Sequence, residues 1–164
     1  MREQVLAGCN RVVIKIGSSL VASSKGGLRI DRIHRLAQEL GALQAQSRQI
    51  VIVSSGAIVA GLSHLGITPY PTELPLQQAA AAVGQSRLMR AYETAFEDTK
   101  NKIAQVLLTH QDLADRRRFL NARHTLITLI QLGVIPIINE NDTVAIDEIR
   151  FGDNDTLAGQ VEHL

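Results

Sequence analysis

Arg11-Val12-Val13-Ile14-Lys15-Ile16-Gly17-Ser18-Ser19 and Ile50-Val51-Ile52-Val53-Ser54-Ser55-Gly56-Ala57 follow one pattern, a short β-branched run that halts in serine and glycine. Val and Ile suit a covered strand, and the small polar residues suit the loop that opens the next element. Val134-Ile135-Pro136-Ile137-Ile138, followed by Asn139-Glu140-Asn141-Asp142, repeats the pattern. Ile103 to Leu108 adds a fourth aliphatic run. Pro136 has no N–H to give a ladder, so a local irregularity or an unpaired edge is expected there.

The segments between these runs have helical periodicity. Ile33, Leu36, Leu40 and Leu43 recur every three or four residues, with Arg32, Arg35, Gln38 and Glu39 interleaved and Asp31 placed to cap them. Another helix follows Ser54-Ser55-Gly56-Ala57. Pro69, Pro71 and Pro75 punctuate a loop before a long Ala-rich helix from Leu76 to Phe96. A later helix runs through Leu126, Leu129 and Ile130 to a cap at Gly133. Thr143 to Phe151 suits a small hairpin, and Leu157 to Leu164 a helix. Strand–helix alternation predicts an α/β fold, a mostly parallel sheet sandwiched between helices in three layers. Ligands of such sheets gather outside the carboxyl ends of the strands. Gly17–Ser19, Ser54–Gly56 and Asn139–Asp142 all follow strands, so the three clusters are expected on one rim, able to converge into one site.

Composition narrows the function classes. The 164 residues are 45% hydrophobic but only 3% aromatic, without Trp, so an aliphatic core is required. A net charge of +1 gives no global field for nucleic acid or an anionic membrane. The single cysteine, Cys9, excludes an intramolecular disulfide and agrees with a reducing compartment. The opening MREQVLAGCNR has no long apolar core, and no apolar stretch approaches the roughly 20 residues that span a bilayer. The expectation is a soluble cytoplasmic protein.

Each cluster has a chemical reading beside a structural one. Lys15 interrupts an aliphatic strand; it serves either as a point charge toward a transferred phosphate or as a lysine on an edge or solvent-facing position. Gly17-Ser18-Ser19 offers backbone N–H groups to an anion, yet lacks the spacing of a P-loop or a dinucleotide fingerprint, and taken alone it is better explained as a tight turn. Ser55 at a strand-to-helix junction suits either a helix cap or a carboxylate or phosphate site. Asn139-Glu140-Asn141-Asp142 and Gly152-Asp153-Asn154-Asp155 are dense in carboxylates and amides but fit no EF-hand loop. Amide and carboxylate oxygens there could accept from an ammonium group while Asn nitrogens donate to a carboxylate; solvated turns are the other possibility. Asp115 to Arg118, with Arg123 beyond, is a local basic cluster without interleaved aromatics, better suited to a solvated helix start or a subunit contact than to nucleic acid.

Together VVIKIGSSL (Val12 to Leu20), IVIVSSGAIVAG (Ile50 to Gly61), AAVGQSRLM (Ala81 to Met89), FLNAR (Phe119 to Arg123), IPIINENDTVA (Ile135 to Ala145) and FGDNDTLA (Phe151 to Ala158) resemble the amino acid kinase family, within it the glutamate 5-kinases. The resemblance implies an amino acid kinase-like, Rossmann-like fold and ATP-dependent phosphorylation of the glutamate side-chain carboxylate to γ-glutamyl phosphate, the first step of proline biosynthesis. It implies Lys15 and Asp155 as catalytic residues, with Lys15, Gly17 and Ser18 also facing the phosphates. It implies Ser55, Gly56, Asn139, Asp142 and Asn154 as glutamate-binding residues. ATP and the Mg2+ carried with it are the implied cofactors, with no dedicated metal site. L-glutamate is the implied partner, proline a feedback inhibitor tied to a loop at Leu113 to Arg123, and a homo-oligomer the assembly, with no nucleic acid and no membrane. Residues 1–164 then correspond to the N-terminal, glutamate-binding part of a kinase domain. The family's nucleotide-binding part, with a second lysine, and its C-terminal RNA-binding-like domain are expected to be absent from these residues. The alternative expectation is a catalytically inactive glutamate- or proline-binding or subunit-association fragment.

Overall fold

The computed structural model describes residues 10–23, 27–145 and 158–159. Strand β1 (Arg11–Ile16) leads into a single helical turn, α1 (Ser18–Val21), and a two-stranded antiparallel ribbon, β2 (Ala22–Ser23) with β3 (Gly27–Leu28). Helix α2 (Ile30–Ala45) returns the chain to β4 (Gln49–Ser54), and α3 (Ala57–Leu65) and α4 (Leu74–Glu97) follow. Then come β5 (Lys102–Leu108), α5 (His110–Ala114), α6 (Arg116–Gln131) and β6 (Val134–Glu140). The four longer strands form one all-parallel sheet in the order β1-β4-β6-β5.

Strand alternation divides the core between the two faces of this sheet. Ile16, Ile50, Ile52, Ile135 and Ile137 pack with Ile33, Ala37 and Leu40 of α2 and Leu88, Tyr92 and Phe96 of α4. Val51, Val53, Leu108 and Ile138 pack on the other face with Leu126 of α6, joined by Val13, Phe119 and Ile130. Central β4 and β6 are covered on both faces, which is why they read as unbroken aliphatic runs rather than as alternating ones. The three-layer expectation holds.

Several local expectations are corrected. Asp31 lies in the first turn of α2 instead of capping it, and Arg29 occupies the cap position. Helix α4 begins at Leu74, because Pro75 sits in the first turn where a missing N–H has no helical partner to lose. Pro136 is not on an unpaired edge: β6 lies between β4 and β5, with Pro136 opposite Ala104. The irregularity falls on the other side, where pairing with β4 starts only at Ile137. Leu113 to Arg123 is the end of one helix and the start of the next, joined through a bend at Asp115, rather than a loop. Thr109 and Asp112 form a capping box for α5, with Thr109 N donating to Asp112 Oδ2 at 2.7 Å, and Asp115 Oδ1 accepts from Arg118 N at 2.9 Å to start α6. The Thr109 hydroxyl bond holds the Asp112 carboxyl below its ordinary range. Arg116 to Arg118 are exposed, as a solvated helix start should be. Gly133 does end α6 in the left-handed conformation, at φ 72°. Most of the hairpin expected after Thr143 and of the helix expected from Leu157 lies outside the described residues; residues 158–159 are helical.

The tightest packing is between α3 and α4. A Cβ on Gly61 would overlap the Ala80 carbonyl oxygen, and one on Gly84 would overlap that of Ala57. The two helix backbones therefore touch, and neither side can yield by a rotamer change. Gly61→Ala and Gly84→Ala are each expected to destabilise the fold by about 1–3 kcal/mol, the range for overpacked cores. Urea unfolding measures this, and unchanged midpoints for both would refute the backbone contact.

Candidate functional site

The parallel register delivers the ends of β1, β4 and β6 to one rim. Ile16 pairs with Ser54, and Val53 with Ile138, so Ser54 and Asn139 stand one residue further along adjacent strands, roughly 4.8 Å apart in the pairing direction. The first two loops are in contact. Ser55 N donates to Ile16 O at 3.1 Å, and Gly56 lies against α1. Gly56 has φ 103°, and a Cβ there would sit 3.0 Å from Val21 Cγ2 and 3.4 Å from Ser18 Cα. Only glycine fits both the backbone angle and the gap. Gly56 also occupies the cap position of α3, so Ser55 is not the cap that its place in the sequence allowed.

Lys15 is exposed on β1, the outer strand of the sheet as described, so its charge does not have to be buried. Its Nζ lies 3.9 Å from where a Gly17 Cβ would be, which places the ammonium over the turn that begins at Gly17. Lys15, Gly17, Ser18, Ser55 and Gly56 thus form one continuous piece of the rim.

Asn139 and Asp142 extend this rim along β6. Asn139 is 1% exposed, its Nδ2 donating to Gln85 Oε1 of α4 at 2.6 Å and its Oδ1 accepting from Glu140 N at 3.0 Å. It props the end of β6 from inside. Beyond it, Asn141 N donates to Leu108 O at 2.9 Å, and Thr143 Oγ1 donates to Asn141 Oδ1 at 2.6 Å, fixing the turn that carries Asp142. Tyr70 faces this turn: burial first, and the Asp142 charge second, push its phenol above the ordinary tyrosine range. Asn154 and Asp155 lie outside the described residues.

Gln85, Tyr70 and Tyr92 were not selected from the sequence. Tyr92 is fully buried with its hydroxyl 3.0 Å from Ser54 Oγ, and burial pushes its pKa up to about 12. Gln85 lies inside AAVGQSRLM, next to the packing glycine, and that adjacency was the available signal. Two grooves, of about 630 and 380 Å3, share Leu28, Ile30 and Arg87 and are lined by none of the predicted site residues.

A parallel sheet with small-residue turns and a lysine at its carboxyl rim suits anionic ligands, and residues 10–161 match the model of the amino acid kinase family. The chain belongs to the amino acid kinase family. It is 56% identical to the glutamate 5-kinase of Geobacter metallireducens and 55% identical to that of Geobacter sulfurreducens, each over all of this chain and 44% of the relative. It is 55% identical to the glutamate 5-kinase of Paraburkholderia phytofirmans over 98% of this chain and 43% of that protein. The chain therefore spans less than half the length of the curated relatives it matches. Among solved structures, an aspartate kinase from Synechocystis superposes with a TM-score of 0.53 at 15% identity, over 91% of this chain and 26% of that one. Isopentenyl phosphate kinase from T. acidophilum superposes at 0.50 with 16% identity, over 77% of this chain and 53% of that one. At those identities the likeness is one of fold.

The chain has two tyrosines, Tyr70 and Tyr92, so phenolate absorbance can be followed for each. Tyr92→Phe is expected to remove the step near pH 12. Because the folded pKa lies above the unfolded value, the Tyr92 contribution is complete below about pH 10 and is lost as the pH rises through 12. It amounts to up to about 3 kcal/mol. Loss of a step near pH 10 instead would show that the hydroxyl is open to water.

Proposed function

We propose that this chain is the glutamate-binding part of a kinase domain that phosphorylates the glutamate side-chain carboxylate with ATP, giving γ-glutamyl phosphate. The observation that carries the proposal is the convergence of the Lys15–Ser18 and Ser55–Gly56 turns, with the Asn139–Asp142 segment beside them, on one rim of a family member. High identity to proteins named glutamate 5-kinase supports the choice of substrate.

The nucleophile is already a carboxylate and needs no general base. One of its oxygens bonds to the γ-phosphorus of ATP as the bond to the bridging oxygen breaks, and ADP leaves with that electron pair. The protein's tasks are then to align the two anions and to neutralise charge. Ser55, Asp142 and Asn154 hold the glutamate, with the Asp142 carboxylate accepting from its ammonium and Asn139 bracing the strand end. The Gly17 and Ser18 backbone, together with the Lys15 ammonium that stands over it, fits phosphate oxygens. Asp155 is assigned a catalytic role, organising the cations of the site, and Mg2+ arrives with the nucleotide. Proline would compete at the glutamate pocket, and the intact protein would be a cytoplasmic homo-oligomer. No described helix is long and apolar enough to cross a membrane.

Calorimetry of the chain with L-glutamate tests the pocket. Binding is expected, and Ser55→Ala and Asp142→Asn should each weaken it about tenfold, the loss of about one charge-assisted hydrogen bond. In the protein that carries these residues, Lys15→Met should lower glutamate-dependent ADP release about 100-fold or more with little change in KM for glutamate. Absence of heat from a folded sample, or full turnover in Lys15→Met, would sink the proposal.

A further inference from the structure

Three polar side chains break the apolar face of α4 at seven-residue spacing: Gln78, Gln85 and Tyr92. Seven residues are nearly two helical turns, about 10.5 Å of rise, so the three form one stripe with only a slight drift. Each member bonds to a different piece of the rim. Tyr92 Oη is 3.0 Å from Ser54 Oγ, which also donates to Ser55 O at 3.3 Å. Gln85 Oε1 accepts from Asn139 Nδ2 at 2.6 Å. Gln78 Nε2 donates to Ala145 O at 3.0 Å, beyond the turn that carries Asp142.

We propose that Gln78, Gln85 and Tyr92 are positioning residues: a single rigid helix sets the Ser54–Ser55 turn and the Asn139–Ala145 segment at a fixed separation. The proposal rests on the glutamate-pocket reading above and adds the device that holds that pocket in shape. The backbone contact at Gly61 and Gly84 seats α4 against α3, and the three hydrogen bonds add what packing does not, a directional tie from the helix to each segment of the rim. Buried polar groups are also costly when mispaired, so Ser54, Tyr92 and Asn139, all at 1% exposure or less, tolerate only the register in which each finds its partner. Asn139 is the most constrained. With Nδ2 given to Gln85, its Oδ1 is turned to the Glu140 N–H, and the last residue of β6 is pinned before the Asp142 turn begins. Gln85 is only partly covered, so a glutamate can replace it and still accept from Asn139.

The test compares Gln85→Met, which keeps the length and loses the acceptor, with Gln85→Glu, which keeps the acceptor. Amide hydrogen exchange at Glu140 reads the brace, exchange at Ile52 in central β4 reads global stability, and calorimetry with L-glutamate reads the pocket. Gln85→Met is expected to speed exchange at Glu140 at least tenfold while Ile52 changes less than threefold, and to weaken glutamate about tenfold. Gln85→Glu should stay within threefold of the parent in all three. Equal exchange at Glu140 in the parent and Gln85→Met, or acceleration of Glu140 and Ile52 together, overturns the proposal. If Gln85→Met does not fold, Tyr92→Phe answers through the Ser55 amide, where exchange as slow as the parent's overturns it. If the parent takes up no glutamate but the exchange pattern appears, the substrate reading fails and the positioning role stands.

Discussion

The contact on which the rest depends is the one made by two absent Cβ atoms. Gly61 and Gly84 let the backbones of α3 and α4 touch, which fixes the axial position of α4 more firmly than interdigitating side chains could. Helix α3 starts directly after the Ser55–Gly56 turn, so its docking is continuous with the rim. Residue 85 follows residue 84, so the same contact that seats α4 also aims Gln85 at Asn139. Packing and site geometry are one constraint here rather than two.

The rest of α4 fits this view. Ala80, Ala81, Ala91 and Ala95 are buried along it, and such small side chains permit close approach while giving good helix propensity. They fill little volume, so the few large residues must be placed well. Tyr92 and Phe96 are fully buried, and with Leu88 they occupy the space above Ile52 and Ile137 that an aliphatic, nearly aromatic-free chain would otherwise leave thin. Tyr92 fills that space and also ends in a hydroxyl where Ser54 needs a partner. Phenylalanine would supply the volume alone.

Much of the fold was legible because its strongest signals are local. β4 and β6 are covered on both faces, so Ile50 to Val53 and Val134 to Ile138 read as continuous runs, and strand–helix alternation then implies parallel pairing and a common rim. What was not legible depended on neighbours distant in sequence. Pro136 looked like an edge residue, since nothing local shows that the ladder to β4 begins just after it. Lys15 looked costly because its strand is aliphatic; only strand order shows that it lies on the outside of the sheet. Tyr92 gave no signal, and Gln85 gave only its place beside Gly84, because a polar residue on a long helix is usually solvated and their partners, Ser54 and Asn139, are 38 and 54 residues away.

Where charge sits at this rim follows from the same architecture. Lys15 is exposed on β1, the outer strand among the described residues, and its ammonium stands beside the Gly17 turn. Asp142 rides on a turn tied to Leu108 O through Asn141 N, so the carboxylate is held without being buried. Among the described residues, α4 contributes neutral partners: a hydroxyl from Tyr92 and carboxamides from Gln78 and Gln85. Neutral donors and acceptors can be buried at the cost of a well-formed hydrogen bond, whereas a charge placed there would require a counter-charge equally deep. On the function proposed above, a site that brings two anionic substrates together would gain from this division. The fixed interior sets distance, and the solvated rim supplies charge that can adjust as negative charge moves from one oxygen to another.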